Sequence, residues 1–192
     1  MSFMELFEKE YAPNLGRRSY TFGQIFLYLD SLDKSNYTIV ETGTTRQVDN
    51  FQGDGCSTLM FDKYVNSKNN GTVYTVDISP ESCAVARSLT SNKTIVTLGD
   101  SITFLSKFHN PHNIDLLYLD SYDFDYNDPH PSSLHHLKEL TAIYPKLSSG
   151  CLIVVDDNFD GGIGKGKYVR DFLNNVGDIL CWDQYHLGYI KR

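Results

Sequence analysis

The alternation of apolar and amphipathic segments most constrains the fold of this 192-residue chain. Short apolar runs rich in β-branched residues predict strands, and between them apolar residues recur at helical spacing. The middle strands are apolar throughout, which is typical of a parallel sheet covered by helices on both faces. We therefore expect an α/β protein whose ligand site lies at the carboxyl ends of the strands.

Seven strands and at least six helices are predicted. The strands are residues 38–41, 72–77, 93–98, 114–120, 151–156, 179–182 and 187–190. The helices are residues 56–66, 80–89, 101–108, 132–144 and 168–176, with one or two more between residues 6 and 32. Ser132 or Ser133 is expected to cap the fourth of the listed helices. Because the sequence contains no linker or internal repeat, we expect a single domain over residues 1–192, with residues 1–34 as a helical extension packed on it.

Composition excludes several classes of function. The formal net charge of −7 argues against a nucleic-acid partner, which needs clustered lysine and arginine. The apolar runs are too short to span a bilayer, and the N-terminus does not resemble a secretory signal. The four cysteines are widely spaced, so we expect reduced thiols in a cytoplasmic protein without a membrane partner.

Acidic residues follow nearly every predicted parallel strand. They are Glu41, Asp77, Asp100, Asp120, Asp156 and Asp157. Turn and capping preferences explain one or two such acids, but like charges gathered at one sheet edge repel each other. We therefore expect a cation among them.

The loops after the first two strands suit a nucleoside. Asp77 ends the second strand, where a carboxylate can accept hydrogen bonds from both hydroxyls of a ribose. Glycines after the first strand allow a ligand to approach the backbone, although the GxGxxG dinucleotide fingerprint is absent. These features do not choose between NAD and S-adenosylmethionine.

Ordered motifs give the sequence a specific resemblance. They are ETG at 41–43, GxS at 55–57, VYTVD at 73–77, LGDS at 98–101, LLYLD at 116–120 and LIVVDDN at 152–158. Together they resemble class I S-adenosylmethionine-dependent methyltransferases, most closely the metal-dependent small-molecule O-methyltransferases of the catechol and macrolide-sugar types. The resemblance spans roughly residues 38–160. It implies a Rossmann-like three-layer sandwich with a mostly parallel seven-stranded sheet and an antiparallel last strand.

The resemblance also assigns roles to individual residues. The cofactor-binding set that it implies is Glu41, Gly43, Gly55, Ser57, Asp77, Ile78, Asp100, Ser101 and Asp120. It further implies a magnesium site of Asp120, Asp157 and Asn158, with Asp156 as the competing ligand if the register shifts by one residue. Three oxygen ligands that leave room for water and substrate suit Mg²⁺.

Two departures from the family pattern bear on the acceptor. Residues 46–54 lengthen the first cofactor loop, and Asp123 stands where the catechol type has a lysine. A plain catechol acceptor is therefore not expected. Asp120 and Asp123 are the predicted catalytic residues, and His135 and His136 are further candidates for the base, although capping or solvation explains them more simply.

The stretch 161–167 mimics a phosphate loop, but Tyr168 follows where serine or threonine would bind magnesium. A lid that carries Lys165 and Lys167 toward a polar substrate and a plain flexible loop are equally good interpretations.

The preferred functional hypothesis is magnesium-dependent O-methylation of a small hydroxylated molecule, such as a sugar. A metal-independent methyltransferase and a non-catalytic nucleoside- or NAD-binding protein are the alternatives. The apolar N-terminal helices pack either on the sheet or in a homodimer.

Overall fold

The computed structural model describes residues 2–68, 70–110, 112–159 and 162–192 and contains a seven-stranded sheet. The strands are β1 Tyr37–Thr42, β2 Gly71–Asp77, β3 Thr94–Leu98, β4 Leu116–Leu119, β5 Leu152–Val155, β6 Ile179–Asp183 and β7 Leu187–Ile190. Their order is β3-β2-β1-β4-β5-β7-β6, with β7 antiparallel to both of its neighbours. This confirms the predicted mostly parallel sheet with an antiparallel last strand. Within these described residues, no helix is both long and apolar enough to cross a membrane.

Helices lie on both sides of this sheet. They are α1 Phe3–Leu6, α2 Ser19–Ser31, α3 Phe51–Asp54, α4 Ser57–Ser67, α5 Pro80–Leu89, α6 Ser101–Lys107, α7 His130–Ile143 and α8 Lys167–Val176. Of the one or two helices predicted over residues 6–32, α2 is present as a 13-residue helix, and shorter helical turns precede it. A π-helical turn, Phe7–Tyr11, and two 3₁₀ turns separate α1 from α2. Gly16, at a φ of +54°, interrupts the helical path there.

The prediction that Ser132 or Ser133 caps α7 was wrong. The helix begins at His130 with a proline in its first turn, so both serines lie inside it. The Ser132 hydroxyl donates a hydrogen bond to the backbone carbonyl of Tyr122, and the Ser133 hydroxyl donates one to the backbone carbonyl of Gly164. Both hydroxyls therefore tie α7 to loops at the carboxyl edge of the sheet.

The core consists of two apolar clusters, one on each face of the sheet. On one face, Phe22 and Phe26 of α2 pack with Phe61 of α4 and Tyr118 of β4, with ring centroids 5.2 to 6.3 Å apart. These aromatic contacts hold the N-terminal helices against the sheet. Every residue of β1, β4 and β5 is buried, as expected for central parallel strands.

The strand order reverses at β1, which pairs with β2 on one side and β4 on the other. In open α/β sheets such a reversal opens a crevice at the carboxyl ends of the strands. Gly43 follows β1 with a φ of +77°, and a Cβ atom there would lie 2.3 Å from the backbone oxygen of Asp120. Any larger residue would therefore force the loops after β1 and β4 apart.

Candidate functional site

A cavity of about 280 Å³ lies in this crevice, at the ends of the first four strands. Its lining residues are Gly43, Val76, Asp77, Ile78, Gly99, Asp100, Ser101, Ser121, Tyr122 and His135. Five of the nine residues predicted to bind the cofactor are among them. Ile78 is 77% exposed, so it presents apolar surface that a flat ligand could cover.

The two acids of this cavity are held by backbone N–H groups. Asp77 accepts hydrogen bonds from the backbone nitrogens of Thr44 at 3.0 Å and Ser79 at 2.8 Å. Asp100 caps α6, and its hydrogen bonds from Thr103 lower the pKa of its carboxyl group. These bonds fix both side chains before any ligand binds, which favours tight recognition.

The other predicted cofactor residues lie beside the cavity rather than on its wall. Glu41 is fully buried and accepts hydrogen bonds from Ser57 at 2.6 Å and Thr58 at 2.7 Å. Gly55 ends α3 in a left-handed conformation next to the Arg18 side chain. Asp120 precedes the wall residue Ser121 and belongs to the acidic cluster described below.

Burial raises the pKa of Glu41 to about 7, although its hydroxyl partners oppose the shift. The folded state thus keeps this proton up to about pH 7, whereas the unfolded chain releases it near 4.5. The stability that this group contributes is therefore complete below about pH 4.5 and lost as the pH rises to about 7.

Glu41→Gln is expected to flatten this pH dependence, because the amide keeps the buried hydrogen bonds but cannot ionise. Between about pH 5 and pH 8, the wild type should lose about 3 kcal/mol more unfolding free energy than the variant. Urea denaturation of both proteins at the two pH values measures the difference. Parallel pH profiles would show that Glu41 is ionised throughout.

Next to the cavity, three carboxylates form an acidic cluster: Asp120 after β4 and Asp156 and Asp157 after β5. One oxygen of each lies within 4.8 Å of one oxygen of the other two. The predicted ligand Asn158 directly follows the cluster in the chain. Its amide donates to Asp183 at 2.8 Å and accepts from Arg170 at 3.1 Å. The chain turns at Asp157, which has a φ of +47°, and the competing ligand Asp156 lies in the cluster, so the magnesium ligand set stays a prediction.

Two buried cations compensate the acidic cluster. Arg18 approaches Asp156 at 3.0 Å and Asp157 at 3.1 Å, and Lys165 approaches Asp120 at 2.6 Å and Asp157 at 3.2 Å. Sequence reasoning anticipated a cation among the acids but did not identify Arg18, which is 138 residues away from Asp156 in the chain. The only signal for it was the excess of acids at this edge.

The carboxylates of the cluster differ in their affinity for protons. Burial alone would raise the pKa of Asp156, but Arg18 and His186 hold it well below its usual range. Burial alone would lower the pKa of Lys165, but Asp120 and the neighbouring carboxylates raise it. Burial raises the pKa of Asp120, with the other two carboxylates adding to the shift and Lys165 opposing it. Three carboxylates thus face Arg18, Lys165 and the His186 ring, and burial has raised the affinity of Asp120 for a proton.

The remaining base candidates have other partners. Both carboxylate oxygens of Asp123 accept from Arg46, at 3.0 and 3.1 Å, and Arg46 also pairs with Asp54. His135 lines the cavity and lies 3.1 Å from the Ser101 hydroxyl. His136 is fully buried, and burial lowers its pKa to about 4, so it stays neutral away from the cavity.

An aromatic cluster of Phe124, Tyr126, Phe159 and Tyr185 adjoins the acids. The Tyr185 hydroxyl donates to Asp157 at 2.7 Å, and the Phe159 ring packs against both Tyr185 and Tyr126. Tyr126 is 73% exposed, so part of this aromatic surface is open to a ligand.

Of the two lysines predicted to lie on a lid, Lys165 is buried at the acids, whereas Lys167 is exposed beside the Tyr168 ring. Gly161, which begins the stretch that mimics a phosphate loop, lies outside the described residues.

The strand order, with a cavity and acids at the carboxyl ends of the central strands, is that of the class I S-adenosylmethionine-dependent methyltransferase fold. The chain belongs to the methyltransferase domain family, whose pattern matches residues 52–158. It is thus an S-adenosylmethionine-dependent methyltransferase, which confirms the predicted class of enzyme.

Solved O-methyltransferases share the fold. NovP is 16% identical with a TM-score of 0.63, over 88% of this chain and 76% of NovP. The calicheamicin methyltransferase CalS11 is 16% identical with a TM-score of 0.56, over 92% of this chain and 80% of CalS11. MycE, solved with Mg, S-adenosylhomocysteine and mycinamycin VI, is 14% identical with a TM-score of 0.61, over 91% of this chain but 50% of MycE. No curated protein sequence matches the chain significantly.

Proposed function

We propose that this methyltransferase methylates a hydroxyl group of a small molecule. The observation that carries the proposal is the position of the acidic cluster directly beside the cavity. Ser121 lines the cavity, and the preceding residue, Asp120, belongs to the cluster. A methyl donor in the cavity and a hydroxyl group at the acids would thus be neighbours.

Methyl transfer from a sulfonium requires an acceptor oxygen held in line with the methyl group and a group that takes its proton. Alignment alone can contribute several kcal/mol, up to about 7–11 in favourable cases. Asp120 is the best placed proton acceptor, because it precedes the cavity-wall residue Ser121 and because burial raises the pKa of its carboxyl group. The Asp123 carboxylate, in contrast, is held by Arg46.

The acidic cluster has the donor chemistry for a magnesium ion, because Mg²⁺ prefers carboxylate and water oxygens. Asp120, Asp156 and Asp157 would hold the ion, and the negative charge that Arg18 and Lys165 leave uncompensated supports its binding. When bound, the ion would lower the pKa of an acceptor hydroxyl group and orient it. The structure of MycE with Mg and S-adenosylhomocysteine is a precedent within the fold.

The aromatic cluster suggests that the acceptor carries a ring. Exposed aromatic faces beside a polar centre suit molecules with one flat apolar side and several hydroxyl groups, such as sugars. CalS11 is described as a TDP-rhamnose 3'-O-methyltransferase, which shows that the fold can act on a sugar. We therefore propose a hydroxylated ring, with a sugar preferred, as the acceptor.

Calorimetry and an activity screen test the proposed function. Titration with S-adenosylmethionine, S-adenosylhomocysteine and NAD should show binding of the first two ligands only. A screen of hydroxylated sugars and phenols, with and without EDTA and Mg²⁺, should release S-adenosylhomocysteine with at least one acceptor. Binding of NAD alone would overturn the proposal, and full activity in EDTA would favour the metal-independent alternative.

Replacing Asp77 tests the cofactor cavity separately from the acids. Asp77→Asn keeps the shape of the side chain but removes the negative charge of the carboxylate that would accept hydrogen bonds from the ribose hydroxyls. We expect the Kd for S-adenosylhomocysteine to rise tenfold or more, the scale of a lost charge-assisted hydrogen bond. Calorimetry measures the change, with Asp33→Asn, an exposed acid remote from the cavity, as the matched control. Equal affinities in both variants would place the nucleoside elsewhere.

A further inference from the structure

Lys165 carries a buried ammonium group at the acidic cluster. The residue is 1% exposed, and its ammonium contacts Oδ1 of Asp120 at 2.6 Å and Oδ2 of Asp157 at 3.2 Å. Burying a lysine is costly unless its charge is paired, so these two carboxylates account for its position. They are also two of the three carboxylates proposed to hold the divalent ion.

The backbone around Lys165 fixes this arrangement. The backbone nitrogens of Gly164 and Lys165 donate to the carbonyls of Asn158 at 2.9 Å and Asp157 at 3.0 Å. A Cβ atom on Gly164 would lie 2.0 Å from the carbonyl oxygen of Asp157, so only glycine fits there. The ammonium is therefore delivered to the acids by a segment that packs directly on their backbone.

Arg18 reaches the cluster from a different side. It uses Asp156 and Oδ1 of Asp157, and it also donates to the backbone carbonyl of Gln52. Lys165 instead bridges Oδ1 of Asp120 and Oδ2 of Asp157. Because the proposed ion would draw on the same two carboxylates, and like charges at such short range repel, the ion and the Lys165 ammonium compete for the negative charge of Asp120 and Asp157.

We propose that Lys165 is a built-in competitor of the divalent cation, an inference that rests on the proposed metal-assisted function. Without an ion, the ammonium balances Asp120 and Asp157 and keeps the cluster intact. Binding of an ion requires the ammonium to leave these oxygens, so Lys165 sets the metal affinity of the site.

Titration with Mn²⁺ monitored by electron paramagnetic resonance tests this competition without any activity assay. Lys165→Met removes the charge and keeps most of the apolar stem. We expect it to bind Mn²⁺ at least tenfold more tightly than the wild type, whereas Lys167→Met, an exposed lysine two residues away, should bind like the wild type. Adding Asp157→Asn to the Lys165→Met background should abolish the gain, because the ion is then bound at the cluster.

Thermal denaturation supplies a second measurement. Without metal, Lys165→Met should have a lower Tm than the wild type, and saturating Mn²⁺ should raise its Tm more than that of the wild type. If Lys165→Met does not fold, Lys165→Gln replaces it in both measurements.

Equal Mn²⁺ affinity in the wild type and the Lys165 variant overturns the inference, and so does a gain that survives Asp157→Asn. The proposed function fails independently. If Lys165→Met binds Mn²⁺ tenfold more tightly but no acceptor is methylated, the competition is supported and the proposed O-methylation is wrong. If an acceptor is methylated but the Mn²⁺ affinity is unchanged, the O-methylation is supported and the competition is wrong.

Discussion

Asp120→Asn is expected to lower kcat roughly 1,000-fold, which corresponds to about 4 kcal/mol of transition-state stabilisation. The amide keeps the size of the side chain but can neither take a proton nor balance a cation. Because Asp120 lies beside the cavity wall rather than on it, the Kd for S-adenosylhomocysteine should change less than about threefold. Single-turnover kinetics and calorimetry together separate the two effects.

Asp123→Asn is the matched control for this prediction. Asp123 follows three residues later, its side chain is 75% exposed, and its carboxylate pairs with Arg46. Exposed ion pairs contribute little, so we expect kcat to fall by less than about fivefold. If Asp123→Asn were as damaging as Asp120→Asn, the base would be Asp123, and its contact with Arg46 would have to open during turnover.

Arg18→Met is expected to destabilise the protein by about 4 kcal/mol, because it leaves buried acids without their partner. Arg18 is 5% exposed, bonds Asp156 and Asp157, and its guanidinium lies 4.6 Å from the centre of the Tyr185 ring. Urea denaturation measures the loss. Lys9→Met, at an exposed position of the same N-terminal segment, should change the free energy of unfolding by no more than about 0.5 kcal/mol.

The double variant Arg18→Met with Asp156→Asn distinguishes charge from packing. If the unpaired Asp156 carboxylate causes the loss, removing it should restore a large part of the stability, and the two effects will not add. Strictly additive effects would instead assign the contribution of Arg18 to its packing and its other bonds.

Much of the sheet could be predicted, because strand formation depends on local apolar patterns. The predicted strands differ from β1 to β7 by at most two residues at each end. The strand-end acids Asp77, Asp100 and Asp120 were placed correctly at one edge, since parallel strands deliver their carboxyl ends to the same side. The start of α7 was missed because its first turn includes a proline outside the predicted range.

The composition of the acidic cluster could not be predicted in full. The side-chain positions after β5 depend on the left-handed conformation of Asp157, which carries no reliable sequence signal. The contact of Arg18 with Asp156 joins distant parts of the chain, and no spacing rule reaches that far. The sequence therefore indicated that the acids need a cation but not which residue provides it.

The N-terminal helices do more than cover one face of the sheet, because Arg18 lies just before α2 and reaches the acids. A change in this N-terminal segment therefore alters the charge balance of the acidic cluster. Replacing this segment with another apolar helix would conserve the core but would leave the buried negative charge of Asp156 without its arginine partner. We therefore expect two such N-terminal segments to be interchangeable only under one of two conditions. Either the new segment carries an arginine at the position of Arg18, or Asp156 is replaced by an uncharged residue at the same time.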